Sequence, residues 1–71
     1  MFEVGYMYLL KHKHSAFGGG TWTVACKALS GEYVQLGYTM HHIEKYMDSR
    51  MIIGCLGKFN DNDGIIRLEV I

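Results

Sequence analysis

The sequence predicts an α+β domain, in which one amphipathic helix covers one face of an antiparallel sheet. The first half of the chain alternates apolar and other residues with a period of two, which is typical of strands. After residue 38 the apolar residues recur at three- and four-residue intervals, as on a helix. Turn signals separate these runs, and no linker or repeat divides the 71 residues. We therefore expect a single domain over residues 1–71, in the order β-β-β-α-β-β.

Two strands are predicted in the N-terminal part of the chain. Over residues 2–11, Tyr6 and Tyr8 share one face because side chains of a strand alternate between its two faces. Over residues 21–29, Trp22 and Val24 share a face in the same way, and the β-branched residues favour extended structure. We expect both aromatic-rich faces to point to the core.

The middle of the chain predicts a third strand followed by a helix. Ser30-Gly31 is a two-residue turn signal before a strand over residues 32–38. Thr39 suits the N-cap position, and the period changes behind it, so we expect a helix over residues 39–50. Its apolar stripe should lie on the sheet. The stripe consists of Met40, Ile43, Met47 and Met51.

Two more strands complete the predicted sheet. Residues 51–59 form an apolar, β-branched run, and residues 60–64 form a turn because Asn, Asp and Gly tolerate left-handed backbone conformations. Residues 65–71 alternate again and predict the last strand. This closing strand is a candidate edge that can add to the sheet of a partner.

The composition favours self-association and argues against duplex nucleic acid as a partner. With 49% hydrophobic and 13% aromatic residues, the chain carries more apolar surface than one small core buries. We therefore expect a homo-oligomer or a partner-binding face. Seven basic residues balance seven acidic ones, so no overall field attracts the chain to nucleic acid or to a membrane surface.

The cysteines and the N-terminus predict a cytoplasmic protein. Cys26 and Cys55 each lie in an apolar run, as buried, reduced thiols do. A secreted chain of this size would usually carry more cysteines, so a disulfide is not required. The first residues do not resemble a signal peptide, and no apolar run approaches the roughly 20 residues that span a bilayer.

One segment, from Lys11 to Trp22, combines positive charge, imidazole, aromatic rings and glycine. Glycines without a Cβ let backbone N–H groups approach an anion, and the lysines add positive potential. The two aromatic rings can stack on a base. The alternative is a solvated hairpin loop without a ligand. The candidate ligand-binding residues are Lys11, His12, Lys13, His14, Phe17, Gly18, Gly19, Gly20 and Trp22.

Metal, cofactor and catalytic signatures are weak or fail on inspection. His12 and His14 share a strand face and, with a histidine of the helix, resemble a zinc or nickel site, but the cysteines lack structural zinc spacing. The Gly54-Cys55-Leu56-Gly57-Lys58 run lacks the spacing of a phosphate loop. Neither cysteine has a histidine neighbour in sequence. We predict no metal, no cofactor and no enzymatic activity.

Three functions remain open. The leading hypothesis is a non-catalytic, homo-oligomeric binding protein that captures a phosphate-bearing, nucleotide-like ligand with the Lys11–Trp22 segment. The alternative is a protein-binding inhibitor module, of the kind found among viral host-modulating proteins, that docks on a larger enzyme. Its contact would be an apolar, tyrosine-rich face or an edge strand. The third is a structural homo-oligomer without a ligand.

Overall fold

The computed structural model describes residues 1–13 and 20–69. These residues form one antiparallel sheet of six strands in the order β4-β3-β2-β1-β5-β6, with one short helix. The α+β class and the antiparallel sheet are therefore confirmed, whereas the predicted order lacked one strand. The elements are β1 (Tyr6–His12), β2 (Thr21–Ser30), β3 (Tyr33–Leu36), β4 (Thr39–His42), α1 (Ile43–Ser49), β5 (Arg50–Asn62) and β6 (Ile65–Leu68).

Strand β1 is one of the two middle strands of the sheet, between β2 and β5. Its alternation has the predicted consequence: Tyr8 and Leu10 point to the core and are 4% and 0% exposed. Val34 of β3 and Cys26 of β2 are also fully buried on this face. Phe2 precedes the strand and closes the core edge-on against the Tyr8 ring, at 5.2 Å between centroids.

The predicted helix over residues 39–50 is wrong in its first turn, which is strand β4. Gly37, with a φ of 62°, opens a two-residue turn that brings Thr39 opposite Leu36. Thr39 is therefore not an N-cap; its hydroxyl instead donates a hydrogen bond to the Leu36 carbonyl at 3.3 Å. The helix begins at Ile43, directly after the last residue of β4 that pairs with β3. The chain forms the hairpin instead of a capped helix because the backbone N–H and C=O groups of β4 find hydrogen-bond partners on β3.

Helix α1 covers one face of the sheet mainly through Tyr46, which is 7% exposed. Ile43 and Met47 pack against the same core, as the predicted stripe requires. Met40 and Met51, the other two members of that stripe, lie on strands and are 53% and 43% exposed. They belong to the outer face of the sheet, the face opposite α1, because Met40 pairs with Gln35 and Met51 with Lys11.

Strand β5 is longer than predicted and bends at two bulges. Its pairing with β1 skips one residue at Ile53 and another at Leu56. The strand then continues to Asn62, so the predicted turn over residues 60–64 shrinks to Asp63 and Gly64. Both have positive φ, 52° and 84°, which is the conformation of a tight two-residue hairpin turn.

The tip of the β5–β6 hairpin contacts β2 and the β3–β4 turn. The Lys27 ammonium lies 2.8 Å from the Asp61 carboxylate and 4.1 Å from the centre of the Tyr38 ring. The Tyr38 hydroxyl donates a hydrogen bond to the Gly64 carbonyl at 3.0 Å. The hydrogen bond to Asp61 raises the pKa of Lys27 above its ordinary value.

The two cysteines differ, contrary to the expectation that both are buried. Cys26 is buried and Cys55 is exposed, and both are free thiols. Burial raises the pKa of the Cys26 thiol, which disfavours the reactive thiolate. Among residues 1–13 and 20–69, no helix has the length and apolarity needed to cross a membrane.

A thiol reagent should therefore distinguish the two cysteines. We expect iodoacetamide to label Cys55 quickly in the native protein and Cys26 only when the chain opens, with both labelled in denaturant. Peptide mapping by mass spectrometry identifies the labelled residue. Equal labelling rates in the native state would contradict the burial of Cys26.

Truncation of Leu10 should cost far more stability than truncation of a surface leucine. Leu10→Ala removes side-chain volume from the centre of the core, where we expect a loss of about 2–5 kcal/mol in the free energy of unfolding. Leu29→Ala, at a β2 site that is 42% exposed, serves as the matched control and should lose less than about 1 kcal/mol. Urea unfolding measures both, and similar losses would show that β1 is not the core strand.

Candidate functional site

The predicted ligand-binding residues lie around the end of β1 and the start of β2. Four of them, His14, Phe17, Gly18 and Gly19, fall outside the described residues. Gly20 is exposed, with open space where a Cβ would stand. The remaining predicted residues are Lys11, His12, Lys13 and Trp22.

His12 and Trp22 contact one another at the rim of the core. Their ring centroids are 4.5 Å apart, with an angle of 39° between the ring planes. Both follow the core-facing alternation, since His12 continues the face of Leu10, and Leu10 pairs with Trp22 across the ladder. Trp22 is half-buried against the core and His12 is exposed. The tilted pair is therefore accessible to solvent, mainly through His12.

The two lysines do not join this pair on the same face. Lys11 lies between Leu10 and His12, so strand alternation directs its side chain to the outer face. Lys13 follows the end of β1, and its backbone N–H donates a hydrogen bond of 2.8 Å to the Ser49 carbonyl. This bond fixes the end of β1 against the last residue of α1.

Arg50 is the functional candidate that the sequence did not reveal. As the first residue of β5 it pairs directly with His12, and its guanidinium lies 4.4 Å from the centre of the Tyr46 ring. The guanidinium also donates a hydrogen bond to the Ser49 hydroxyl at 3.2 Å. No local pattern marks Arg50, because its neighbour His12 is distant in sequence and only the β1–β5 register brings them together.

Five side chains thus form a continuous row across this end of the covered face. Beyond Arg50, the Tyr46 ring lies 4.7 Å from the His41 ring, with 52° between their planes. Tyr46 is buried, whereas the flanking groups reach the surface. We call this set the aromatic–cationic row. Its members are Trp22, His12, Arg50, Tyr46 and His41.

The positive side chains at this end of the sheet make no close contact with an acid among the described residues. There, the Lys27 ammonium lies 2.8 Å from the Asp61 carboxylate, and His42 Nε2 lies 3.2 Å from the Glu32 carboxylate. Arg50 and the two lysines therefore have no carboxylate within 4.0 Å in this part of the chain. Unpaired cations beside aromatic rings suit a ligand that carries both negative charge and a ring.

Three clefts are lined by residues that the structure describes, and none of them includes a member of the row. Clefts of about 430 and 290 Å³ lie along the β5–β6 hairpin, beside Glu69 and Arg67 respectively. A third, of about 240 Å³, lies beside His42 and Glu32. Across residues 1–13 and 20–69, no three His, Cys, Asp or Glu side chains come together as a metal site.

His42 is the one histidine with a buried polar atom that lacks a partner in the described structure. Its Nε2 lies 3.2 Å from the Glu32 carboxylate, and its Nδ1 is buried without a hydrogen bond. The Tyr33 ring packs edge-on against the imidazole at 5.2 Å. This group lies on the outer face, because His42 pairs with Tyr33, and it is separate from the aromatic–cationic row.

Comparison of the chain with protein-family models, with curated proteins and with solved structures finds no match, so the site rests on its own geometry.

Proposed function

We propose that this protein is a non-catalytic binding protein that captures a phosphate-bearing, nucleotide-like ligand at the aromatic–cationic row. The observation that carries the proposal is the contact between His12 and Trp22, with Arg50 directly across the ladder from His12. This places a half-buried ring and an unpaired guanidinium within reach of one small ligand.

Each described group has a separate part in binding. The planar guanidinium of Arg50 can hold two phosphate oxygens at once, and Tyr46 beneath it restricts its orientation. The His12 ring, directly across the ladder from Arg50, adds a further donor beside it. The half-buried Trp22 ring is the stacking partner for the base, since aromatic stacking accepts any nucleobase. The glycines of the segment lie partly outside the described residues.

The row favours capture over catalysis. Its members are rings and a guanidinium, and the two hydroxyls that adjoin it are held within the chain: Ser49 accepts a hydrogen bond from Arg50 at 3.2 Å, and the Thr39 hydroxyl lies 2.9 Å from His41 Nε2. The free thiol of Cys55 belongs to the middle of β5, where it pairs with Tyr8. A ligand held at the row is bound and released unchanged.

Trp22 provides a direct test because it is the only tryptophan in the chain. AMP is titrated into the protein while Trp22 is excited at a wavelength that adenine does not absorb. Its binding should change the Trp22 fluorescence in a saturable way. Adenosine keeps the base but lacks the phosphate, and inorganic phosphate lacks the base. Both should therefore bind more weakly than AMP. A response to AMP that matches free tryptophan in buffer would contradict the proposal.

Arg50→Ala should weaken AMP binding by roughly 10- to 100-fold, because hydrogen bonds to a charged group contribute about 1.5–3 kcal/mol. Lys58→Ala is the matched control, since Lys58 pairs with Tyr6 at the opposite end of β1. It removes the same charge and should leave the affinity within about twofold. Higher salt should lower the affinity of the wild type more than that of Arg50→Ala.

If Arg50→Ala and Lys58→Ala lose the same affinity for AMP, binding depends on the overall charge of the protein and not on this site. Absence of AMP binding would favour the protein-binding alternative. That alternative draws support from the outer face, where Tyr33 and Met40 are 49% and 53% exposed.

A further inference from the structure

Strand β6 leaves one of its hydrogen-bonding edges free in the described structure. It is the last strand of the sheet and pairs with β5 alone among the residues described. The N–H of Glu69 donates to the Lys58 carbonyl at 2.8 Å, so alternation turns the backbone groups of Arg67 inward to β5 as well. The N–H and C=O groups of Ile66 and Leu68 therefore point away from the sheet.

This edge carries some of the features that usually prevent strand pairing and lacks others. Strand β6 has only four residues and includes the charged Arg67. It contains no proline or lysine, and no bulge interrupts its pairing with β5. Ile65 and Leu68 are 55% and 42% exposed. An exposed apolar edge with free backbone groups readily accepts another strand.

We propose that β6 pairs antiparallel with β6 of a second copy of this chain, across a twofold axis at Leu68. Leu68 then lies opposite Leu68 of the second copy, and the two exchange N–H to C=O hydrogen bonds through their outward groups. The two sheets become one continuous sheet. We infer a second copy as the partner because Arg67 and Glu69 flank Leu68. When two such strands run antiparallel, each positive side chain meets a negative one.

The charges of Arg67 and Glu69 favour this register over the register centred on Arg67. With the axis at Leu68, each Arg67 lies directly opposite Glu69 of the second copy, which gives two cross-strand pairs of opposite charge. An axis at Arg67 would use the same outward backbone groups but place two guanidinium groups face to face. That register is disfavoured because like charges directly opposite repel.

The same face of β5 extends the pairing. Lys58 lies opposite Glu69 and Asn60 opposite Arg67 within one chain. Across the axis, Glu69 therefore stands between Lys58 of its own chain and Arg67 of the second copy. This alternation of positive and negative groups leaves neither charge of β6 unpaired in the dimer.

Charge-reversal variants test both the use of the β6 edge and the register centred on Leu68. Sedimentation equilibrium without added nucleotide measures the dimerisation of each variant. Arg67→Glu and Glu69→Arg should each weaken homodimerisation by at least about tenfold, because both cross-strand pairs become repulsive. An equimolar mixture of these two variants should regain dimers, since each supplies the charges that the other lacks. The double variant carrying both changes should also dimerise like the wild type.

Proline variants test the backbone pairing by a second route. Leu68→Pro removes an outward N–H that the β5–β6 ladder does not use, so the chain should fold and remain monomeric. Met40→Pro is the matched control at the opposite edge of the sheet. Ile43 donates its N–H to the Glu32 carbonyl, so the Met40 N–H also faces outward. This control should keep the dimer.

Three results would overturn the proposal: a wild type that is monomeric at every concentration, a mixture of the charge variants that stays monomeric, or a folded Leu68→Pro that dimerises like the wild type. Circular dichroism checks folding, and the charge variants decide the question if Leu68→Pro does not fold. Because no ligand is involved, these results are independent of AMP binding.

Discussion

The constraint on which the structure depends is the mismatch between a six-stranded sheet and the seven-residue helix that covers it. One face of a sheet needs apolar cover, and a seven-residue helix is only about 10 Å long, whereas six strands span about 24 Å. Within residues 1–13 and 20–69, no further element covers the other face or the edges. Apolar side chains such as Met40 on the other face and Ile65 on the edge strand therefore remain exposed, at 53% and 55%.

The same mismatch positions the candidate site. The core ends close to the end of α1. Beyond it on the covered face lie His12 of β1 and Arg50 of β5, and both side chains reach solvent. Tyr46 and Trp22 flank them from the helix and from β2. Cations supported by rings at the boundary of a core are held in place and still accessible, which is what recognition of an anionic ring system requires.

Sequence reasoning found what depends on local pattern and missed what depends on register. The alternation of β1 and β2 predicted the core face that carries Tyr8 and Trp22. The hairpin turn at Gly37 was missed because the neighbouring Thr39 also suits a helix N-cap, and only tertiary pairing decides between them. Arg50 was missed for a similar reason, since no spacing within the chain relates it to His12. The lysines of the segment were grouped by sequence proximity, although Lys11 alternates to the outer face.

The central claim is that this fold captures a phosphate-bearing ligand at the aromatic–cationic row. Native mass spectrometry of the protein purified from cells, under conditions that preserve non-covalent complexes, tests it most directly, because one spectrum reports chain number and bound mass together. The account predicts two chains carrying additional mass of nucleotide size, which is absent from the Arg50→Ala protein. A bare chain or bare dimer that acquires no mass on addition of AMP would contradict it.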